Sequence, residues 1–463
     1  MATGARSERI AGSAAPASRR ALFGWVMFDW AAQPLYTLVV TFLFAPYFVN
    51  GFMADPVMGA SLWGYATGIA ELIAALLAPV LGAVADTGQR RKPWIAAFSV
   101  LLIAGLCGLW LAEPGRGDLV PFVLIAFGLA TIGAELATVF TNAMMNSLVS
   151  GRRLGTLSGT GWAAGYVGGL VSLVLFAGLL VADHNTGKTL LGLPPLFDLD
   201  AATREGDRLV GPFSALWYLV FVLPLFLYTP DRPPGPRAQH AVRAGVTQLW
   251  RSLKDLVRHH AQVALFLLAR MLYADGLGAV FAFGGIYAAT VFGWGALELG
   301  LFGIVLTIAG TIGAVLGGPL DDRLGSKTVI VAGLILFIVG SIGVLSVDQN
   351  HVLFTLPVEP KLAGSAPFSS AGEQVLLVFG ILIGFASGPV QASSRTLLAR
   401  MSPAEKMTEF FGFFSFSGKV TAFAAPLAIG AVTHASGSQR IGIASCLVFL
   451  IGGLMLLLRV KAR

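Results

Sequence analysis

Seven ionisable side chains fall inside stretches that are otherwise apolar: Asp29, Glu71, Glu135, Arg270, Asp275, Arg395 and Lys419. Carboxylates and cations placed in hydrocarbon pair with one another, bind protons or hold a charged solute. Lys419 is the sharpest case, because a charged lysine at mid-membrane costs roughly 2.5–3.5 kcal/mol on insertion scales. It lies ten residues beyond Glu409, about 15 Å along a helix, too deep to reach water easily. It needs a carboxylate, drawn from Asp29, Glu71, Glu135, Asp275 or a bound substrate. A buried carboxylate takes up a proton when its cation moves away. Glu135 or Asp29 is therefore the candidate proton carrier, with Lys419 and Arg395 orienting an anionic group. No phosphate-binding Gly-rich loop, metal-ligand cluster or Ser/His/Asp arrangement occurs, so an enzyme or an ATP-driven pump is not expected.

These groups belong to helical patterns. Asp29, Gln33 and Tyr36 are spaced four then three and share a face. Pro34 sits in the same stretch and allows a kink or a broken helix. Thr131, Glu135, Thr138, Asn142 and Asn146 form a polar stripe too long to face lipid, which must line a cavity or meet polar partners. Gly161, Gly165 and Gly169 make a close-packing ridge beside Trp162 and Tyr166, aromatics that either stack on substrate or fill space. Ser387, Gln391, Ser394 and Arg395 share another face. Arg270 and Asp275, five apart, point in different directions on a regular helix, so each is expected to pair with another helix unless the chain unwinds at Gly276.

The chain as a whole is built to sit in a bilayer. With 56% hydrophobic residues, 12% charged residues and a mean hydropathy of +0.78, it has too little polar surface to coat a soluble globule of 463 residues. Twelve apolar runs of spanning length lie near 22–49, 59–83, 94–112, 119–148, 157–181, 212–229, 262–290, 297–319, 328–347, 373–398, 409–433 and 441–459. The net charge of +7 suggests nucleic acid, but most Lys and Arg fall in the tails and even-numbered connections. The positive-inside rule then puts both termini in the cytoplasm. The expected organisation is a tail (1–21), a six-helix bundle (22–229), a linker (230–261) and a second bundle (262–463). Within the linker, Val246, Leu249, Trp250, Leu253, Leu256 and Val257 share an apolar face suited to the inner membrane surface.

The halves repeat each other. Gly82 to Lys92 reads G-A-V-A-D-T-G-Q-R-R-K, and Gly318 to Lys327 reads G-P-L-D-D-R-L-G-S-K. Gly82 and Asp86 thus return as Gly318 and Asp322, followed by Arg90 and Arg91 in the first copy and by Arg323, Gly325 and Lys327 in the second. An aspartate here can meet the positive amino end of a neighbouring helix and latch or gate the bundles.

Twelve helices in two repeated halves with this loop resemble the major facilitator superfamily. F-D-W-A (28–31), S-G-T-G-W-A-A-G-Y-V-G-G (158–169), A-R-M-L-Y-A-D-G (269–276), F-A-F-G-G-I-Y-A-A (281–289), S-R-T-L-L-A-R-M-S-P (394–403) and E-F-F-G-F-F-S-F-S-G-K-V-T-A-F (409–423) resemble one branch of it. That branch is typified by the fungal autophagy-related vacuolar amino-acid effluxer and its bacterial relatives. T-N-A-M-M-N (141–146) and Gln33-Pro34 depart from that branch. The resemblance implies an all-α membrane protein of two pseudo-symmetric six-helix bundles that rock about a central site, and it implies efflux of amino acids or similar solutes. The leading expectation is a monomeric secondary transporter in a bacterial plasma membrane, moving a small polar or zwitterionic solute coupled to protons. Membrane lipids are its surroundings, and it uses no cofactor and no nucleic acid. The alternatives are an exporter of amphiphilic drugs or lipids, and a sensor or scaffold without turnover.

Overall fold

Among the described residues, eleven helices are long and apolar enough to cross a membrane. They are α1 (Arg19–Phe52), α2 (Pro56–Gly88), α3 (Lys92–Leu111), α4 (Gly117–Leu148), α5 (Gly151–Leu179), α6 (Glu205–Tyr228), α7 (Ala261–Phe292), α8 (Leu297–Leu324), α9 (Ser326–Leu345), α10 (Ala371–Met401) and α12 (Gln439–Arg459). The twelfth crossing, α11, is made of two pieces, Met407–Ser417 and Ala424–Ser436, each shorter than the roughly 20 residues a single span needs. This computed structural model describes residues 17–181, 187–189, 191–200, 202–233, 251, 253–362 and 365–461.

The sequence reading takes 409–433 as one helix with Lys419 at its centre; instead Lys419 sits in a turn at 418–423 between the two pieces. Pro426 favours a break here. It has no N–H for the carbonyl of Ala422 and its ring crowds that carbonyl, and it stands instead in the first turn of the second piece, where a proline is tolerated. Gly418 closes the first piece by donating to Ser415 O, one residue short of the usual helical acceptor.

In α1, Pro34 has a different outcome. The carbonyl it strips of an amide partner is that of Trp30, and Trp217 of α6 fills the vacancy by donating its indole N–H at 3.2 Å. The Trp30 and Trp217 rings stack with centroids 5.8 Å apart. The helix then continues through Leu35–Phe42 in widened π turns rather than breaking.

The first bundle is α1–α6 and the second α7–α12. In the first, α3 packs along α4 while α1 lies between α5 and α6; in the second, α10 packs on α8 and α9, and α7 on α12. The expected glycine ridge of α5 receives α1: a Cβ on Gly169 would strike Thr37, and one on Gly165 would lie 3.3 Å from Gln33 Oε1. The bundles meet along two seams, α5 against α8 and α2 against the first piece of α11, whereas the second piece of α11 packs on α7 and α12. Between α8 and α9 the chain turns at Gly325 with φ +87°, a conformation that favours glycine.

The α9–α10 connection carries a short antiparallel hairpin, His351–Val352 with Leu356–Pro357. Of the proposed apolar face of the linker, residues 246, 249 and 250 lie outside the described residues. Residues 253–259 are helical, with Leu256 buried and Leu253 and Val257 exposed. Asp255 of this segment accepts from Lys406 Nζ at 2.6 Å, which holds its carboxyl below the usual range and ties the linker to the start of α11.

Trp217→Phe should cost about 1–3 kcal/mol by leaving the Trp30 carbonyl without a donor. Pro34→Ala in the same protein should recover part of that loss by restoring the amide, a difference readable in the melting temperatures of the detergent-solubilised variants.

Candidate functional site

At the face that carries Ala17 and Lys461, the two copies of the repeated motif close the two seams in the same way. Gly82 lets α2 approach α11: a Cβ there would lie 2.5 Å from Thr408 O. One turn on, Asp86 accepts from the amides of Thr408 (3.1 Å) and Glu409 (2.9 Å), at the amino end of α11, and from the Thr408 hydroxyl (2.6 Å). Gly318 lies as tightly against Gly155 O, and Asp322 accepts from the amides of Gly155 and Thr156, both at 2.8 Å, at the amino end of α5. A carboxylate at a helix amino end is stabilised by the unpaired amides and the helix dipole together.

The basic residues of the motif divide their roles. Arg91 is buried, donating to Thr408 Oγ1 at 3.0 Å and lying 3.5 Å from Asp86, and its burial brings the guanidinium pKa down to about 10. Arg90 is exposed, as is Arg323, while Lys327 donates to the carbonyls of Leu458 and Val460 and holds the end of α12. Thr87, where the first copy departs from the repeat, bonds only locally to Val84 O. Arg400, which the motif did not point to, joins the second seam by pairing with Asp321 (2.6 Å) and Asp322 (2.9 Å) and donating to Gly151 O across the bundles.

Behind these latches lies a cavity of about 470 Å³ lined from both bundles, within the size range of small-molecule sites. Of the candidate cavity residues, Asp29, Gln33, Tyr36, Glu135, Asn142, Trp162, Arg270, Gln391, Arg395 and Lys419 line it. Tyr166 stands at its edge, accepting from Gln391 Nε2 at 3.3 Å. Asp275 is not among the lining residues: it is 5% exposed, one carboxylate oxygen has no hydrogen-bond partner, and the neighbouring Gly276 packs on Leu450 of α12. Its sequence position matches that of Asp29, but its surroundings do not.

Two ion clusters cross the gap between bundles. Lys419 Nζ lies 3.1 Å from both Glu71 and Glu135, and Tyr36 donates its hydroxyl to Glu135 at 3.0 Å. The break in α11 makes this possible, since the turn brings Lys419 toward α2 and α4 of the opposite bundle. Deeper toward the latches, Arg395 pairs with Asp29 at 3.1 Å and donates to Asn142 Oδ1 (2.9 Å), Ser158 Oγ (2.9 Å) and Ser158 O (2.8 Å). Its guanidinium rests over Trp25, 4.9 Å from the ring centroid. At 4% exposed, Arg395 has its donors committed to the first bundle in this closed arrangement. Gly161 makes room for the pair, because a Cβ there would lie 2.5 Å from Asp29 Oδ2.

A family model described as "Vacuole effluxer Atg22 like" matches residues 152–463. The chain belongs to that family. Among its relatives, "Uncharacterized MFS-type transporter YxiO" of Bacillus subtilis (strain 168) is 23% identical over 94% of this chain and 93% of its own length. "Autophagy-related protein 22" of Coccidioides immitis (strain RS) is 27% identical over 68% of this chain, and the chain spans only 50% of that protein's length. Among solved structures, the human organic anion transporter MFSD10 aligns with a TM-score of 0.69 at 14% identity, covering 95% of this chain and 99% of that one. FucP in the outward conformation aligns with a TM-score of 0.67 at 15% identity, covering 96% and 99%. The fold is therefore that of the major facilitator superfamily, and this Atg22-like chain is a multi-pass membrane transporter, not an enzyme.

Several residues of the Atg22-like site escape sequence reasoning. Ser158, Thr408 and Arg400 act between the bundles, yet a lone hydroxyl or an arginine at a helix end carries no signal by type or spacing. Phe411 and Phe414 line the cavity beside Lys419. The indole N–H of Trp162, another lining residue, is buried and has no acceptor among the described residues.

Lys419→Met should destabilise the protein by up to about 3 kcal/mol, because it leaves two carboxylates facing each other without a cation. Adding Glu71→Gln and Glu135→Gln should restore most of the loss, as read by melting temperature in detergent. Separately, Asp86→Asn with Asp322→Asn should loosen the closed face. Spin labels on cysteines placed at 153 and 323 should then report longer, broader distances than the parent protein gives.

Proposed function

We propose that this transporter moves a small zwitterionic solute, an amino acid or a close analogue, out of the cell by proton-coupled alternating access. The observation that carries this reading is the charge balance of the central site. Asp29 and Glu135 line the cavity with Arg270, Arg395 and Lys419, and Glu71, paired with Lys419 from just outside the lining, makes three carboxylates against three cations. A zwitterion enters such a site without adding net charge, whereas a bare ion would leave an uncompensated charge in a low-dielectric interior. The family description, a vacuole effluxer, supports solute transport across a membrane. The bias of Lys and Arg supports cytoplasmic termini. On that orientation the latched face is cytoplasmic and the arrangement described here faces outward.

Coupling follows from the clusters that span the gap. Arg395–Asp29 and Lys419–Glu135 join the bundles only while the carboxylates are ionised. A proton on Asp29 removes its attraction and frees Arg395, while a proton on Glu135 leaves Lys419 held by Glu71 alone; either weakens the tie between the bundles and lets the latched face part. Protons driven inward thus unlock the cytoplasmic side, and their release there lets the pairs form again.

A second reading, export of an amphiphilic compound, is favoured by Phe281, Phe411 and Phe414 on the second bundle's side of the cavity. Proteoliposome flux separates the two. With an imposed pH gradient, a labelled mixture of the twenty amino acids should move in exchange for protons. Glu135→Gln and Asp29→Asn should each lose the pH dependence while still folding. Retained pH dependence in both variants would refute the coupling. Transport of a hydrophobic dye in place of amino acids would favour the second reading, and no flux of either would leave a sensor.

A further inference from the structure

Five of the six charged side chains that meet at the cavity are satisfied by each other: Lys419 by Glu71 and Glu135, and Arg395 by Asp29. Arg270 is different. Among the described residues no carboxylate lies within ion-pair distance of it, and its partners are neutral: Nη1 donates to Phe414 O at 2.7 Å and Ser417 Oγ at 3.1 Å. Its guanidinium carbon lies over the Phe414 ring, 3.5 Å from the centroid. Only Nη1 is used in these bonds, so the Nε–Nη2 edge has no acceptor among the described residues, in a side chain that lines the cavity. That edge is the one with which arginine grips a carboxylate by two parallel hydrogen bonds.

The surroundings are shaped to keep this edge in place. Gly418, the first residue of the break in α11, lies directly against the guanidinium: a Cβ there would sit 2.5 Å from Nη1 and 2.9 Å from Nη2. The Phe414 carbonyl, which would accept from Gly418 in a continuous helix, loses that donor because Gly418 donates to Ser415 O instead; it accepts from the Ser417 hydroxyl at 2.9 Å and from Arg270, which anchors to it. Ser415 also lines the cavity, and its hydroxyl has no partner among the described residues. Lys419, with its two carboxylates, is the next residue after Gly418. One turn of irregular backbone therefore presents an unpaired cation beside a cluster carrying an excess of one negative charge.

We propose that Arg270, aided by the Ser415 hydroxyl, is the binding point for the carboxylate of the transported solute, and that the Glu71–Glu135–Lys419 cluster takes its ammonium. The assignment of the ammonium rests on the zwitterion reading above; that of Arg270 rests on its own unpaired edge. It also gives the break in α11 a task. The solute bridges the turn at 418–423 and the opposite bundle, so occupancy draws the two bundles together at mid-depth.

The competing role for Arg270 is a cap on the first piece of α11. Thermal-shift titrations of the purified full chain separate the two, with three sets of probes: the L-amino acids, their carboxamides and the matching monocarboxylates lacking the amine. An amino acid that stabilises the parent protein should bind at least about tenfold more tightly than its carboxamide, because the fork would be left unpaired by the amide. In Arg270→Gln, affinity for the acid should fall to that of the carboxamide, while affinity for the carboxamide stays as in the parent. Arg270→Lys keeps the charge but not the fork and should fall between. Ser415→Ala should weaken the acid alone, and these two variants carry the comparison should Arg270→Gln fail to fold. Equal binding of acid and carboxamide by the parent, or equal loss of both in the variants, would reduce Arg270 to a cap and leave the transport reading standing. Monocarboxylates binding in an Arg270-dependent way without amino acids would keep Arg270 and sink the zwitterion. Silence from all three sets would overturn both.

Discussion

A charge surrounded by hydrocarbon must find its opposite, and in this transporter nearly every such search ends on the other bundle. Lys419 of the second half reaches Glu71 and Glu135 of the first; Arg395 of the second reaches Asp29 and Ser158 of the first. The same rule governs the rim, where each half offers an aspartate to exposed amides of its counterpart. Neither bundle is electrostatically complete alone. A structure that depends on such pairs is held firmly in one arrangement, yet each contact can be exchanged for water as the halves part and, on the proposed function, for a proton or a solute. Apolar seams could not be traded in this way, because their strength does not change with protonation.

The glycines complete this logic sterically. At Gly82, Gly318 and Gly161 the absent side chain is what allows a polar bond to form, by bringing α2 onto α11, α8 onto α5, and α5 onto the Asp29–Arg395 pair. Without hydrophobic driving force between helices in lipid, close approach and hydrogen bonding carry the association. The repeated motif thus couples the residue that permits contact to the one that exploits it, one helical turn apart.

Much of this is legible in the residues. The stripe from Thr131 to Asn146 has to face something polar, and Lys419 has to find a carboxylate; both statements follow from the cost of burying charge. The repeat at Gly82 and Gly318 gives the two-fold plan and the latches. What cannot be read is rotation and depth: nothing in the spacing says that Lys419 prefers Glu71 and Glu135 to Asp29, or that Asp275 turns away from the cavity while its counterpart Asp29 faces it. The break in α11 was signalled by Pro426, but a proline seven residues beyond Lys419 looks like one of several kinks in a chain that keeps Pro34, Pro79, Pro319 and Pro389 inside helices. Only the tertiary need to swing Lys419 across the gap distinguishes them.

The divided α11 has a mechanical meaning. Its first piece is clasped by the opposite bundle through Asp86, while its second piece packs with α7 and α12 of its own. If the two bundles pivot, this one crossing is pulled from both ends, and the short turn between its pieces must act as the knuckle that absorbs the angle. The side chains rooted in or beside that knuckle, Lys419 and Arg270, are then the ones whose spacing changes most for a given tilt. If Arg270 and Lys419 grip the solute as proposed, the joint between the pieces and the hold on the cargo are one and the same turn of backbone.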